Sequence, residues 1–88
     1  MKNSRVNNSL TANGCGVDGN VENSILFRQV KIHKGASVKN CIIMQNCEIG
    51  ENVILENVII DKDCHITKGK ELRGSKDYPL IIEKKKVI

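Results

Sequence analysis

Two histidines, His33 and His65, and four cysteines, Cys15, Cys41, Cys47 and Cys64, are the side chains of this 88-residue chain best suited to base, nucleophile or metal chemistry. Their spacing assembles none of the usual sites. No cysteine stands in a C-x-x-C pair, and two histidines are one short of a three-histidine catalytic zinc set. There is no G-x-G-x-x-G, no P-loop, and no nucleophile with an evident base beside it in the chain. Each cysteine falls in or beside a position where other parts of the sequence place Val, Ile or Ser. The four therefore read as small buried thiols in a reducing compartment, with zinc ligation as the alternative.

What would hold such groups in place is a repeat. Shifted by seventeen residues the sequence matches itself: Val21, Val38, Leu55 and Leu72 form one aliphatic row. Val30, Cys47 and Cys64 form a second, and Ile32, Ile49 and Ile66 a third. Ile25, Ile42 and Ile59, then Leu26, Ile43 and Ile60, give two more, with Asn23, Asn40 and Asn57 beside them. One step earlier the interval is fifteen, since Val6, Asn8, Ser9 and Leu10 match Val21, Asn23, Ser24 and Ile25. A period this short, carried by apolar positions and punctuated by Gly and Asn, marks a solenoid with one coil per repeat.

Within a coil the apolar positions Cys47, Ile49, Val53, Leu55, Ile59, Cys64 and Ile66 follow no helical period. Strands of three to five residues joined by corners fit them, and these positions are expected to form the core. Corners demand positive φ or permissive residues, which accounts for the row Gly35, Asn52, Gly69 and for the asparagine row. The expected organisation is a polar leader over residues 1–5, a β-helix of about four coils over 6–74, and a cap over 75–88. Pro79 cannot donate to a ladder, so the solenoid is expected to close near Gly74, and LIIEKKKVI, with apolar ends around a charged centre, is expected as two short strands turned near Glu83 to Lys85 and folded back.

Composition bounds the function. Phe27 and Tyr78 are the only aromatic residues, so Val, Ile, Leu, Cys and Ala must fill the core. No run of about eighteen apolar residues and no basic-then-apolar leader is present, which excludes a membrane span and a secretory signal and suggests a cytoplasmic protein. The net charge of +4 is uneven: residues 1–61 hold six basic and six acidic side chains, residues 62–88 eight and four. Such an excess suits phosphate contacts, and Lys also blunts exposed strand edges. Isolated aromatics argue against a nucleic-acid surface.

The segment I-G-x-x-V-x-L at Ile49 to Leu55 resembles the hexapeptide repeat of left-handed β-helices, found in acyltransferases, γ-type carbonic anhydrases and sugar nucleotidyltransferases. The longer stretches VENSILFRQVKIHKGASVKNCIIMQ and ILENVIIDKDCHI resemble the C-terminal β-helix of glucose-1-phosphate adenylyltransferase. The tail YPLIIEKKKVI is similar to that of the glycogen-synthesis accessory subunit of Gram-positive bacteria. The resemblance implies a single-stranded left-handed β-helix that serves subunit assembly and allosteric control, with the chemistry done by a separate nucleotide-binding domain. It implies no cofactor in this segment, and as partners a second copy or a catalytic subunit, and a sugar-phosphate effector. In IIDKDC it places Lys62 where responsive subunits carry a basic residue, and Arg28 in LFRQV is a second effector candidate. The alternative is a hexapeptide acyltransferase with His33 or His65 as general base between subunits. A γ-type carbonic anhydrase would need three histidine ligands, and the chain has two.

Overall fold

The computed structural model describes residues 5–88 and contains strands and turns with no helix among them. The first coil holds β1 (Arg5–Asn7), β2 (Leu10–Thr11) and β3 (Gly16–Val17), and the second β4 (Asn20–Glu22), β5 (Ile25–Leu26) and β6 (Lys31–Ile32). The third holds β7 (Ser37–Lys39), β8 (Ile42–Ile43) and β9 (Glu48–Ile49), and the fourth β10 (Ile54–Glu56), β11 (Val58–Ile60) and β12 (His65–Ile66). Two strands follow, β13 (Glu71–Arg73) and β14 (Leu80–Ile82). Every pairing is parallel and joins like positions of successive coils.

The result is a three-sided β-solenoid of about four turns. Side A stacks β1-β4-β7-β10-β13, side B β2-β5-β8-β11-β14, and side C β3-β6-β9-β12. The seventeen-residue rows are the ladder columns: Val21 pairs with Val38, Val38 with Leu55, and Leu55 with Leu72. Val6 pairs with Val21 across the fifteen-residue step. Arg5, expected in the leader, is the first residue of β1, and its N–H donates to Gly19 O at 3.1 Å. The rest of that leader, residues 1–4, lies outside the described residues.

Left-handed backbone closes most corners. Between sides A and B it is carried by Asn8, Asn23, Asn40 and Asn57, with φ of 49–55°. Between C and A it is carried by Gly35, Asn52 and Gly69, as the row predicts. The third corner, between B and C, accepts less permissive residues: Gln29, Asn46, Asp63 and Lys85 stand there at φ of 58–61°.

The interior is one column of small aliphatic and thiol side chains. Strand alternation corrects the expected core at one row. Leu26, Ile43 and Ile60 point inward and are buried, whereas Ile25, Ile42 and Ile59, next to them in the chain, point outward. Three thiols serve the core in the same way: Cys15, Cys47 and Cys64 each donate to a main-chain carbonyl of the next coil, those of Phe27, Asp61 and Glu83, at 3.0 Å. All four cysteines are free, and Cys41, Cys47 and Cys64 are buried.

The tail departs from the expected fold-back. β14 pairs in parallel with β11, setting Ile60 beside Ile82, and Val87 bridges His65, also in parallel. Lys84 and Lys85 do turn the chain, but as a corner of a fifth layer rather than of a hairpin. The register survives because residues 75–79 loop out, lengthening the step between paired residues from seventeen to twenty-two (Ile43 to Ile60, then Ile60 to Ile82). Gly74 permits this return: a Cβ there would run into the main chain of Leu80 and Asn57.

Candidate functional site

The corner between sides B and C gathers both basic residues singled out from the sequence. At each turn the second corner residue takes positive φ, and its N–H donates to the first corner residue one layer below. Asn46 donates to Arg28 O at 3.0 Å, Asp63 to Gln45 O at 3.1 Å, and Lys85 to Lys62 O at 3.0 Å. These bonds stack Arg28, Gln45, Lys62 and Lys84 along one edge, all exposed. With about 4.8 Å per layer, Arg28 and Lys62 stand roughly 10 Å apart and Lys84 one layer beyond. Lys84 escapes sequence reasoning because the looped-out residues break its register; Arg28 and Lys62, thirty-four residues apart, keep theirs.

Acid groups temper this edge. Asp61 precedes Lys62, its Oδ1 accepting the Lys62 main-chain N–H at 2.7 Å and fixing the corner. Neither Arg28 nor Lys62 is in an ion pair within 4.0 Å among the described residues. A shallow hollow beside Arg28 is lined by Phe27, Gln29, Gln45 and Asn46. Exposed guanidinium and ammonium groups at this spacing can meet two phosphate groups of one ligand, Arg through a planar fork and Lys as a point charge.

The histidines lie elsewhere, on side C. His65 stands beside Glu48 in the ladder, and His33 reaches Glu48 diagonally, with Nε2 2.6 Å from Oε2. The hydrogen bond from His33, helped by the charges of His65 and Lys31, holds the Glu48 carboxyl below its ordinary range. His33 is thus engaged by a carboxylate on its own coil stack, and among the described residues no serine, threonine or cysteine hydroxyl or thiol is bonded to either imidazole. Among the described residues no group of three or more His, Cys, Asp or Glu side chains is placed to hold a metal ion, and no helix is long and apolar enough to cross a membrane.

Short parallel strands, three corners and in-register aliphatic columns define a hexapeptide-type β-helix, here with a basic edge. Residues 1–76 match the family described as GlmU-like, C-terminal hexapeptide, and the chain belongs to it. It is also similar to two proteins named "Glycogen biosynthesis protein GlgD". The one from Geobacillus stearothermophilus is 68% identical over 79 residues, covering 90% of this chain and 23% of that protein. The one from Bacillus subtilis (strain 168) is 54% identical over 83 residues, covering 94% of this chain and 24% of the relative. The chain thus spans about a quarter of the length of the curated relatives it matches.

Proposed function

We propose that this chain is the assembly and effector-responsive β-helix of a glucose-1-phosphate adenylyltransferase-type subunit in glycogen synthesis. One observation carries the reading. The matches to the glycogen biosynthesis proteins span 79 and 83 residues, so they run past residue 76, where the hexapeptide family match ends, into the tail. The tail adds the fifth strand of side B and contributes Lys84 to the basic edge. In this reading the chain performs no adenylyl transfer; it joins a second copy or a catalytic subunit, and Lys62 with Arg28 receives the phosphates of a sugar-phosphate effector.

The test supplies the chain in trans to a nucleotidyltransferase subunit lacking its own β-helix. The assay follows ATP and glucose 1-phosphate going to ADP-glucose and pyrophosphate. The chain alone gives no turnover, the mixture co-sediments, and Lys62→Ala raises the sugar-phosphate concentration needed for half-maximal response. Failure to co-sediment overturns the assembly role, and an unchanged response in Lys62→Ala overturns the effector role.

A further inference from the structure

One column of the core carries thiols. Just past the B–C corner it runs Cys15, Val30, Cys47, Cys64, a register fixed by the pairing of the residues that follow them, Gly16 with Lys31, Lys31 with Glu48 and Glu48 with His65. Cys47 and Cys64 stand on neighbouring layers, both buried, and the basic edge makes no use of either. Their surroundings are the same. Cys47 Sγ lies 3.0 Å from Asp61 O one layer up and 3.8 Å from Gln45 O in its own layer, while Cys64 Sγ lies 3.0 Å from Glu83 O and 3.7 Å from Lys62 O. Matching distances mean matching rotamers, so one sulfur stands above the other by a single layer, about 4.8 Å. A hollow outside the corner, lined by Gly14, Gln29, Lys31, Asn46 and Glu48, reaches Cys47 and offers a way in.

We propose that Cys47 and Cys64 form a two-coordinate site for a soft monovalent ion of the Cu(I) class, held between the two sulfurs along the ladder direction. Spacing and ligand type choose the ion. A closed-shell metal–thiolate bond is about 2.3 Å, taking the zinc value, so a linear sulfur–metal–sulfur unit spans about 4.6 Å, close to the layer spacing. Zinc itself demands four ligands in a tetrahedron, and among the described residues no group of three or more His, Cys, Asp or Glu side chains is placed to hold a metal ion. Thiolates select soft ions such as Cu(I), whereas magnesium and calcium take oxygen ligands that an apolar column lacks. On binding, two metal–sulfur bonds form, both thiols release their protons to solvent, and the metal keeps its oxidation state. The S–H donors to Asp61 O and Glu83 O are given up, a small loss because a thiol donates weakly. The bound unit carries one negative charge, and the basic edge of Arg28, Lys62 and Lys84 at the same corner offsets part of the cost of burying it.

The test is an anaerobic titration of the 88-residue chain with Cu(I) against a competing chromophoric chelator, the ion being added to the native chain and, separately, present during refolding from urea. The rows supply variants that fit: Val30 shows that valine suits this column, and Ser24 that serine suits the place of Cys41. A chain carrying Cys15→Val and Cys41→Ser should still take up one ion, with two sulfur neighbours and no nitrogen or oxygen in its X-ray absorption spectrum. In that chain Cys47→Val or Cys64→Val should weaken uptake by more than the roughly 10–100-fold that loss of an outer-shell partner costs. Val30→Cys in the unmodified chain completes a second stacked pair with Cys15 and should raise uptake to two ions. No uptake by either route, uptake that Cys47→Val and Cys64→Val leave unchanged, or a third ligand in the spectrum overturns the proposal. So does one ion shared by two chains in sedimentation, or a Val30→Cys chain that melts cooperatively and still takes one.

Discussion

Ser24, the one buried polar residue among the described residues, accepts the main-chain N–H of Cys41 on the next coil through its Oγ at 3.0 Å. Its hydroxyl donates to Glu22 O at 2.8 Å, and its own N–H donates to Ser9 Oγ at 3.0 Å. The hydroxyls thus carry the ladder around a corner where the main-chain N–H groups of Ser24 and Cys41 have no main-chain acceptor. Ser24→Ala leaves the Cys41 N–H buried and unpaired, a loss of about 1–3 kcal/mol. Urea unfolding should show a lower midpoint with an unchanged slope.

Adjacent isoleucines should respond unequally. Ile43 is fully buried, whereas Ile42 points outward. Ile43→Ala should cost about 2–5 kcal/mol through lost burial and a cavity, enough to unfold much of a small domain. Ile42→Thr should cost under about 1 kcal/mol in the monomer, since Thr keeps the β-branched shape on a strand surface. Thermal melts at low protein concentration check the pair; equal losses would contradict the assigned faces.

Gln29 holds φ of 58° without the local hydrogen bonding that lets asparagine adopt this region. Asn46, at the equivalent corner of the next coil, shows the residue that suits it. Gln29→Asn should raise stability by a few tenths to about 1 kcal/mol. A lower melting temperature for the variant would contradict this.

Burial pushes the Cys47 thiol up to about 11, and that of Cys41 in the same direction. Thiolate is the reactive form, so at pH 8 only about one Cys47 in a thousand carries it, behind a packed wall. Alkylation of the native chain should therefore proceed at the half-buried Cys15 first, with Cys41, Cys47 and Cys64 reacting only on unfolding. Mass mapping after a timed pulse of iodoacetamide reads the order.

Glu48, with its folded pKa depressed chiefly by the His33 hydrogen bond, contributes stability above the ordinary carboxylate value of about 4.3. That contribution is lost as pH falls through the depressed value. Both side chains are substantially exposed, at 38% and 45%, so the effect is small, under about 1 kcal/mol. Glu48→Gln should flatten the stability profile below about pH 4.5 and leave the rest unchanged within that margin.

The sequence by itself determined the solenoid, its register and two of its corners. In-register parallel stacking brings the same position of every coil into one column, so each column must satisfy one environment, and the rows through Val38, Ile32 and Asn40 record those environments directly. The pairing of Lys62 with Arg28 on one edge is legible for the same reason, as two whole periods. Tertiary structure alone decided which member of Ile42–Ile43 faces in, because both columns are aliphatic and composition cannot separate an inward ladder from an outward one. It decided the B–C corner as well, where Gln29 and Lys85 hold left-handed backbone that their own preferences oppose and the stacked layers impose. And it decided the tail. Five looped-out residues hide the period, but the exposed edge of β11 and the buried surface behind Ile60 are satisfied only if Leu80–Ile82 lies down in parallel as the next layer.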